Sequence, residues 1–423
     1  MERQIDVRKI RLERMHMYSE LCGNPHTCAP SFHIAGSKGK GSVTQMIASI
    51  LNAWGKKTAL YASPHLNDFR ERLNLGGSFF PEDVYIQGGN ELKALLDALP
   101  AKKGEEATFF ELMTMWFFLC SRIAHCDIMA VETGLGGRLD TTNILDPLVS
   151  VINIIELEHT DLLGNTLGAI AAEKAGIIKA GRPLVLSEQK DEALKVFKKH
   201  AKEKKVKLYY FPLNAEAKDI VVSPKGTFFK LKIGDRNFNE LFIPVPGEVQ
   251  AKNAGLALLS LLIAYPDIPE EAIRKGLANF YLPGRFERIC EKPEVIIDGA
   301  HTANSIEMCL KTFTGIYGSE GILLFGCAEG KDLAKMAELL APSFSTIIIT
   351  TPGSFKKSNP EEIYKIFSAR IKEEGLKTEL LFIPGTKEAI EKARLLALKV
   401  KQALLGTGSF YLAGEIKSSL GME

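Results

Sequence analysis

Short apolar runs, each followed by a stretch of helical period, recur along most of this chain. "SFHIAG", "KTALYAS", "CDIMAVET", "PLVSVINI" and "RPLVLS" come early; "EVIIDGA", "GILLFG", "STIIIT", "ELLFIPG" and "GSFYLAGE" come late. Brief apolar strands alternating with helices predict an α/β protein with mainly parallel sheets. Segment 206–246 breaks the pattern. There "KLYYF", "GTFFKLKIG" and "NELFIPVPG" predict an antiparallel ribbon inserted late in the first domain. Pro283 and Gly284 interrupt the helical period near "YLPGRFERICEKPE", and a fresh strand–helix series starts at Val295. The expected division is a P-loop-type ATPase domain over residues 1–284 and a smaller Rossmann-like domain over 285–423, with a ligand cleft between them.

The first strand runs into "GSKGKGS" and then a helix. A glycine-rich turn feeding a helix N-terminus is an anion site, because its backbone N–H groups and the helix dipole both favour negative charge. Gly36, Gly39 and Gly41 let the backbone approach a phosphate closely. Lys40 supplies a cation for the β- and γ-phosphates, and Ser42 a hydroxyl for Mg²⁺. The stretch departs from G-x-x-x-x-G-K-[ST] in two places: Ile34 stands where the first glycine belongs, and Gly41 separates the lysine from the serine.

Acids and histidines follow at strand ends. Glu132 closes the apolar run of "CDIMAVETGLGGRLDTTN", on the ligand side of a parallel sheet; a surface acid fits the same spacing. His159 follows the next run, where a metal ligand and a satisfied polar residue fit equally. Ser63 opens "SPHLNDFRERLNLGG", whose Arg70 and Arg72 suit anionic ligands or an exposed ion-paired loop. Asp298, Gly299 and His301 form the turn of "IIDGAHTANSI", where Asp298 suits ribose hydroxyls, an ammonium group or a helix cap.

Composition narrows the partners. Lys plus Arg total 53 against 51 Asp plus Glu, so there is no general basic field for nucleic acid or membrane. The lysine-rich run Lys195–Lys207 reads as a solvated helix face. Seven cysteines without a C-x-x-C pair predict free thiols and a reduced, cytoplasmic protein; Cys22 and Cys28 flank His26 without matching a zinc template. The N-terminus is too charged for a signal peptide, and the longest apolar runs are too short to span a bilayer.

Taken in order, "GSKGKGS", "SPHL" with "RERL", "TFFEL", "ETGLGGRLDTTN", "EHTDLLG", "AAEKAGIIK", "PGRFE", "DGAHT" and "GSFYLAGE" resemble the Mur ligase superfamily, and within it the folylpolyglutamate synthase and dihydrofolate synthase family. The resemblance implies roles. Gly36, Gly39, Lys40, Gly41 and Ser42 hold the ATP phosphates; Ser63, Glu132 and His159 bind a pair of Mg²⁺ ions; Lys174 carries a carbamate. Asn253, Arg285 and Asp298 match ATP-contacting positions. Thr108, Phe109, Phe110 and Glu111, with Asp140 and Thr141, match a pterin-binding region, although two core phenylalanines would read alike. Thr302 replaces the Asn common in the family's D-G-A-H-N motif, as in folylpolyglutamate synthases. Lys9, Ile10 and Arg11 stand where bifunctional members have Asp-Leu-Gly.

The implied reaction is ATP-dependent amide formation. The γ-carboxylate of a reduced folate takes the γ-phosphoryl group, and the amine of L-glutamate displaces phosphate. Lys40 neutralises charge and His301 or Asp298 orients the amine, while domain closure excludes water. A monomer is implied. One alternative is a bifunctional enzyme that also joins dihydropteroate to glutamate. A more distant one is a P-loop switch or assembly ATPase, which gives no reason for Lys174 or the Asp-Gly-Ala-His turn. A peptidoglycan Mur ligase would place a UDP-sugar domain ahead of the turn, where this sequence has 35 residues.

Overall fold

The computed structural model of the chain describes residues 7–99, 106–353 and 356–420. The side chains of Lys9 and Ile10 lie outside the described residues. The described residues form two compact units: those within 7–220, 228–244 and 249–281 make the first, and those within 221–227, 245–248 and 282–420 the second.

The first unit is built on a seven-stranded sheet. Its strands are β1 (Ser31–Ala35), β2 (Thr58–Tyr61), β3 (Leu73–Asn74), β4 (Ile128–Glu132), β5 (Val149–Ile152), β6 (Leu184–Leu186) and β7 (Leu208–Tyr210), in the order β3-β2-β4-β1-β5-β6-β7. All pairings are parallel except that of the short edge strand β3 with β2. Every residue of β1 is buried, as a central strand covered on both faces requires. The expected α/β class with a mainly parallel sheet is borne out.

"KLYYF" corrects the expected ribbon. β7 pairs in parallel with β6, Leu184 opposite Leu208, because helix Asp191–Glu203 supplies the crossover that a parallel pair needs. That helix buries Ala193, Phe197 and Ala201 at four-residue spacing and turns its lysines outward, the solvated face expected. The antiparallel ribbon consists instead of β8 (Ala215–Ser223), β9 (Gly226–Ile233) and β10 (Arg236–Ile243), ordered β10-β9-β8.

The second unit holds a six-stranded sheet of β11 (Glu287–Glu291), β12 (Glu294–Ile297), β13 (Ile322–Phe325), β14 (Thr346–Ile349), β15 (Glu379–Phe382) and β16 (Leu404–Thr407), ordered β11-β12-β16-β13-β14-β15. Only β11 is antiparallel to its neighbour. "GSFYLAGE" is not a strand. The buried strand is "LLGT" just before it, and Phe410–Ser419 is a helix. The Ser409 hydroxyl accepts from Tyr411 N at 3.1 Å as its cap, and Leu412, Ala413 and Ile416 are buried at helical spacing.

All seven cysteines are free thiols, and no described helix is long and apolar enough to cross a membrane.

Candidate functional site

Strand register brings the candidate residues of the first unit together. β1 lies between β4 and β5, with Ile34 paired to Glu132 on one side and Ala35 to Ile152 on the other. The chain leaving β1 therefore meets Glu132 and Asn153 at the carboxyl end of the sheet, where ligands of open parallel sheets bind. Thr133 N donates to Ile34 O at 2.9 Å and Asn153 N to Ala35 O at 2.8 Å, which ties all three strand ends at that level.

The turn then runs from Gly36 to Gly39, and the helix Lys40–Ala53 begins. Gly39 has φ 73° and Gly36 φ 146°. At both, a Cβ would strike Asn153: 2.3 Å from its Nδ2 at Gly39 and 2.9 Å from its Cβ at Gly36. Glycine is thus required by packing as well as by backbone angle. The amides of the first helical turn, which includes Lys40, Gly41 and Ser42, precede any i−4 carbonyl, so the turn ends in an anion-attracting set of N–H groups.

Two cations converge behind the turn. Lys40 Nζ donates to Gly36 O at 3.0 Å, and Lys174 Nζ donates to the same oxygen at 2.8 Å. Lys174 lies in helix Leu167–Ala175, is 1% exposed, and also donates to Glu158 Oε1 at 3.0 Å. Burial, and then the Lys40 charge, push its ammonium down to about 8; Glu158 only partly opposes this. Burial works against the Glu158 charge, but Lys174 and Lys40 outweigh it and hold the carboxyl below its usual value.

Glu132 is buried on the other flank, its Oε2 3.4 Å from where a Gly41 Cβ would sit and 3.2 Å from Ser63 N. The structure thus brings Ser63, Glu132 and the glycine turn together. His159 follows β5 as the residue before the short helix Thr160–Leu163, with φ 47°, and is exposed. No group of three His, Cys, Asp or Glu side chains among the described residues forms a metal-binding cluster, at Cys22, His26 and Cys28 included.

The "TFFE" and "RERL" segments also meet. Arg72 lies over the rings of Phe109 and Phe110, 5.2 and 5.7 Å from their centroids, and both rings are nearly half exposed. Thr108 and Glu111 have different work. Thr108 caps helix Phe109–Ile123 in a capping box with Glu111. Glu111 is fully buried and takes Arg14 Nε and Nη2, one on each carboxylate oxygen, at 2.8 Å. Burial opposes its charge, but the Arg14 and Thr108 hydrogen bonds outweigh burial and hold the carboxyl low.

Asp140 is buried within its own loop, accepting from Leu135 N at 2.8 Å, Thr142 N at 3.0 Å and the Thr142 hydroxyl at 2.5 Å. Because that hydroxyl donates to Asp140, His33 Nε2 donates to it in turn, at 2.7 Å. Thr141 Oγ1 lies 2.8 Å from Thr114 Oγ1.

In the second unit the Arg285 guanidinium lies 4.1 Å from the Phe410 ring centroid. Asp298 accepts from Phe286 N at 2.8 Å and Ala300 N at 2.7 Å. His301 Nδ1 is 2.8 Å from Gly299 O, so Nδ1 carries the proton and Nε2 the lone pair of the neutral ring. Thr302 caps helix Ala303–Tyr317.

Sequence reasoning missed Glu158 and Asn153. Asn153 stands one residue beyond the apolar run of β5, and Glu158 directly precedes His159; polar residues at the carboxyl end of a parallel strand were the available signal.

Comparison with known proteins agrees with the resemblance. The Mur ligase middle domain matches residues 34–261, and the Mur ligase glutamate ligase domain matches residues 284–410. The folylpolyglutamate synthase of Lacticaseibacillus casei is 30% identical over 398 residues, covering 91% of this chain and 92% of its own. The dihydrofolate synthase/folylpolyglutamate synthase of Bacillus subtilis is 30% identical over 419 residues, covering 97% and 94%. The solved folylpolyglutamate synthase of Mycobacterium tuberculosis, complexed with ADP, superposes with a TM-score of 0.89 at 26% identity, covering 97% of this chain and 95% of that one. The chain therefore belongs to the Mur ligase family and, within it, to the folylpolyglutamate synthase and dihydrofolate synthase family.

Proposed function

We propose that the chain is an ATP-dependent ligase that joins L-glutamate to the γ-carboxylate of a reduced folate through an acyl phosphate. The observation that carries this reading is the convergence of Lys40 and Lys174 on Gly36 O behind a glycine turn, with Glu132 beside Gly41. A carboxylate is a poor acyl donor because oxide is a poor leaving group; phosphorylation supplies a good one. Lys40 and the first-turn amides of its helix draw off charge as the folate carboxylate approaches the γ-phosphate. The glutamate amine then attacks, and phosphate departs. Asn253 is the nucleotide contact we assign to the first unit, and Arg285 and Asp298 are those we assign to the second. His301 orients the amine, its Nε2 lone pair being the end able to accept the proton.

The donors near the turn fit Mg²⁺: the Glu132 carboxylate and the hydroxyls of Ser42 and Ser63 are hard oxygens, with His159 as a further ligand. Bound there, Mg²⁺ would neutralise the phosphates. Lys174 fits carbamate formation on geometry, since its amine is buried beside a second cation and is less basic than a surface lysine. A carbamate would turn a cation into an oxygen donor on the same side of the turn. Phe109, Phe110 and Arg72 make an apolar, cationic surface suited to a flat pterin ring. Thr108, Glu111, Asp140 and Thr141 support that surface.

The test is a substrate panel. Purified protein with ATP, glutamate and either tetrahydrofolate, dihydrofolate or dihydropteroate should release ADP and lengthen the γ-glutamyl chain of the folates. Product from dihydropteroate as well would add dihydrofolate synthase activity. ATP hydrolysis indifferent to folate and glutamate would overturn the ligase reading in favour of a switch ATPase.

A further inference from the structure

Asn153 is buried beneath the glycine turn. Its Oδ1 accepts from the main-chain N–H of Ile154 at 2.8 Å, and its own carbonyl accepts Gln189 Nε2 at 2.9 Å. A main-chain N–H can only donate, so the first of these bonds decides which way round the Asn153 amide sits. Its Nδ2 must then face Asn253, and it donates to Asn253 Oδ1 at 2.9 Å. That in turn directs Asn253 Nδ2 toward Gln250 Oε1, at 3.2 Å. Asn153, Asn253 and Gln250 are all buried. The amide pair also lies directly against the turn: a Cβ on Gly39 would be 2.3 Å from Asn153 Nδ2 and 2.7 Å from Asn253 Oδ1.

We propose that Asn153 is a positioning residue for nucleotide binding, setting the donor and acceptor ends of the Asn253 amide and seating Gly39 of the phosphate turn. This rests on the reading of the turn and Asn253 as a nucleotide site. The order of polarity runs one way, from a fixed backbone donor through two side-chain amides. Any change that makes residue 153 an acceptor reverses it. Asn253 must then rotate to offer its N–H₂ group to residue 153, and its oxygen turns to whatever Nδ2 faced before. Gln250 can rotate as well and restore its own bond, so the network re-satisfies itself while the face shown to nucleotide is inverted.

The experiment titrates ADP and a non-hydrolysable ATP analogue into the full-length protein by calorimetry, alongside KM for ATP, kcat and thermal melting. Wild type should bind ADP. Asn153→Asp, which has the same shape but sets a charged acceptor in place of the donor, and Asn153→Leu, which removes the donor without adding charge, should each weaken ADP binding and raise KM for ATP about tenfold, the worth of one misdirected buried hydrogen bond, with kcat at saturating ATP changed less. At the far end of the chain of amides, Gln250→Met leaves Asn153 to direct Asn253 and should hold ADP affinity within about threefold. ADP affinity of folded Asn153→Asp within about twofold of wild type would overturn the inference while leaving the nucleotide site standing. If Asn153→Asp does not fold, Asn153→Leu decides by the same criterion: ADP affinity within about twofold of wild type overturns the inference, and a loss of about tenfold that Gln250→Met does not share supports it. A wild type that binds neither nucleotide would overturn the site and the inference together.

Discussion

Lys40 and Lys174 share an acceptor: both ammonium groups donate to the carbonyl oxygen of Gly36, at 3.0 and 2.8 Å. Two cations held on one neutral oxygen repel each other, and the Glu158 carboxylate, hydrogen-bonded to Lys174, compensates part of that charge. The pair is poised for an anion or for the loss of one positive charge.

Lys40→Ala should lower kcat by at least about a hundredfold with every folate acceptor, because charge stabilisation aimed at the transferring phosphoryl group is worth several kcal/mol. Steady-state ADP release measures it. Turnover close to wild type would mean that the phosphates are held elsewhere.

Lys174 is the group from which the missing charge change would come. Wild type incubated with ¹³C-bicarbonate should show a carbamate carbon signal by NMR, and Lys174→Arg should show none, since a guanidinium does not form one. The arginine variant should also lose about tenfold to a hundredfold in activity, the usual scale for groups that support a metal site. An unlabelled wild type with full activity would remove the carbamate from the mechanism.

His33 offers a prediction about acid stability. It is fully buried in β1, its Nε2 donates to Thr142, and Nδ1 has no hydrogen-bond partner among the described residues. Burial, aided by the Lys179 charge, pushes it down from 6.5 to about 3. Between these values the unfolded chain binds the proton and the folded one does not, so stability falls as pH drops through that window. This group should contribute up to about 1.4 kcal/mol per pH unit to the slope. Urea unfolding across the window should show His33→Gln with a shallower loss than wild type; equal slopes would mean that His33 accepts its proton in the fold.

The Arg14–Glu111 pair predicts a stability effect away from the chemistry. Glu111 is fully buried and Arg14 only slightly exposed. Arg14→Met leaves a buried carboxylate without its guanidinium and should cost about 3–5 kcal/mol in denaturant unfolding. Arg14→Met with Glu111→Gln should recover part of that loss, because no buried charge remains. A single Arg14→Met variant as stable as wild type would mean that Thr108 alone suffices to hold Glu111.

Much of this was legible in the sequence because parallel strands leave a plain mark. The buried runs of β1, β4, β5 and β6 each read as a strand with a polar or glycine residue at the carboxyl end. What was misread has physical reasons. "FYLAG" is apolar enough for a strand, but the signal that decides is Ser409, whose hydroxyl starts a helix. "KLYYF" is half-buried and aromatic like a ribbon strand, and only the crossover helix before it reveals the parallel pairing. β8 and β11 escaped because their burial is uneven and their sequences charged. At the site, single residues such as Lys40 and Glu132 stood out. Glu158 and Asn153 did not, since their importance lies in contacts made across the fold.

Gly137 and Gly176 carry a consequence for how this site tolerates change. A Cβ on Gly176 would lie 2.2 Å from Arg138 Cα, and one on Gly137 would lie 2.9 Å from both Glu173 O and Lys174 O. At these two points the loop after Glu132 and the helix bearing Lys174 are thus seated against each other's backbone, which cannot give way as a flexible side chain can. The two segments behave as one inherited block: a chimera that imports either from a relative without the other would carry every expected residue and still hold Lys174 in the wrong place.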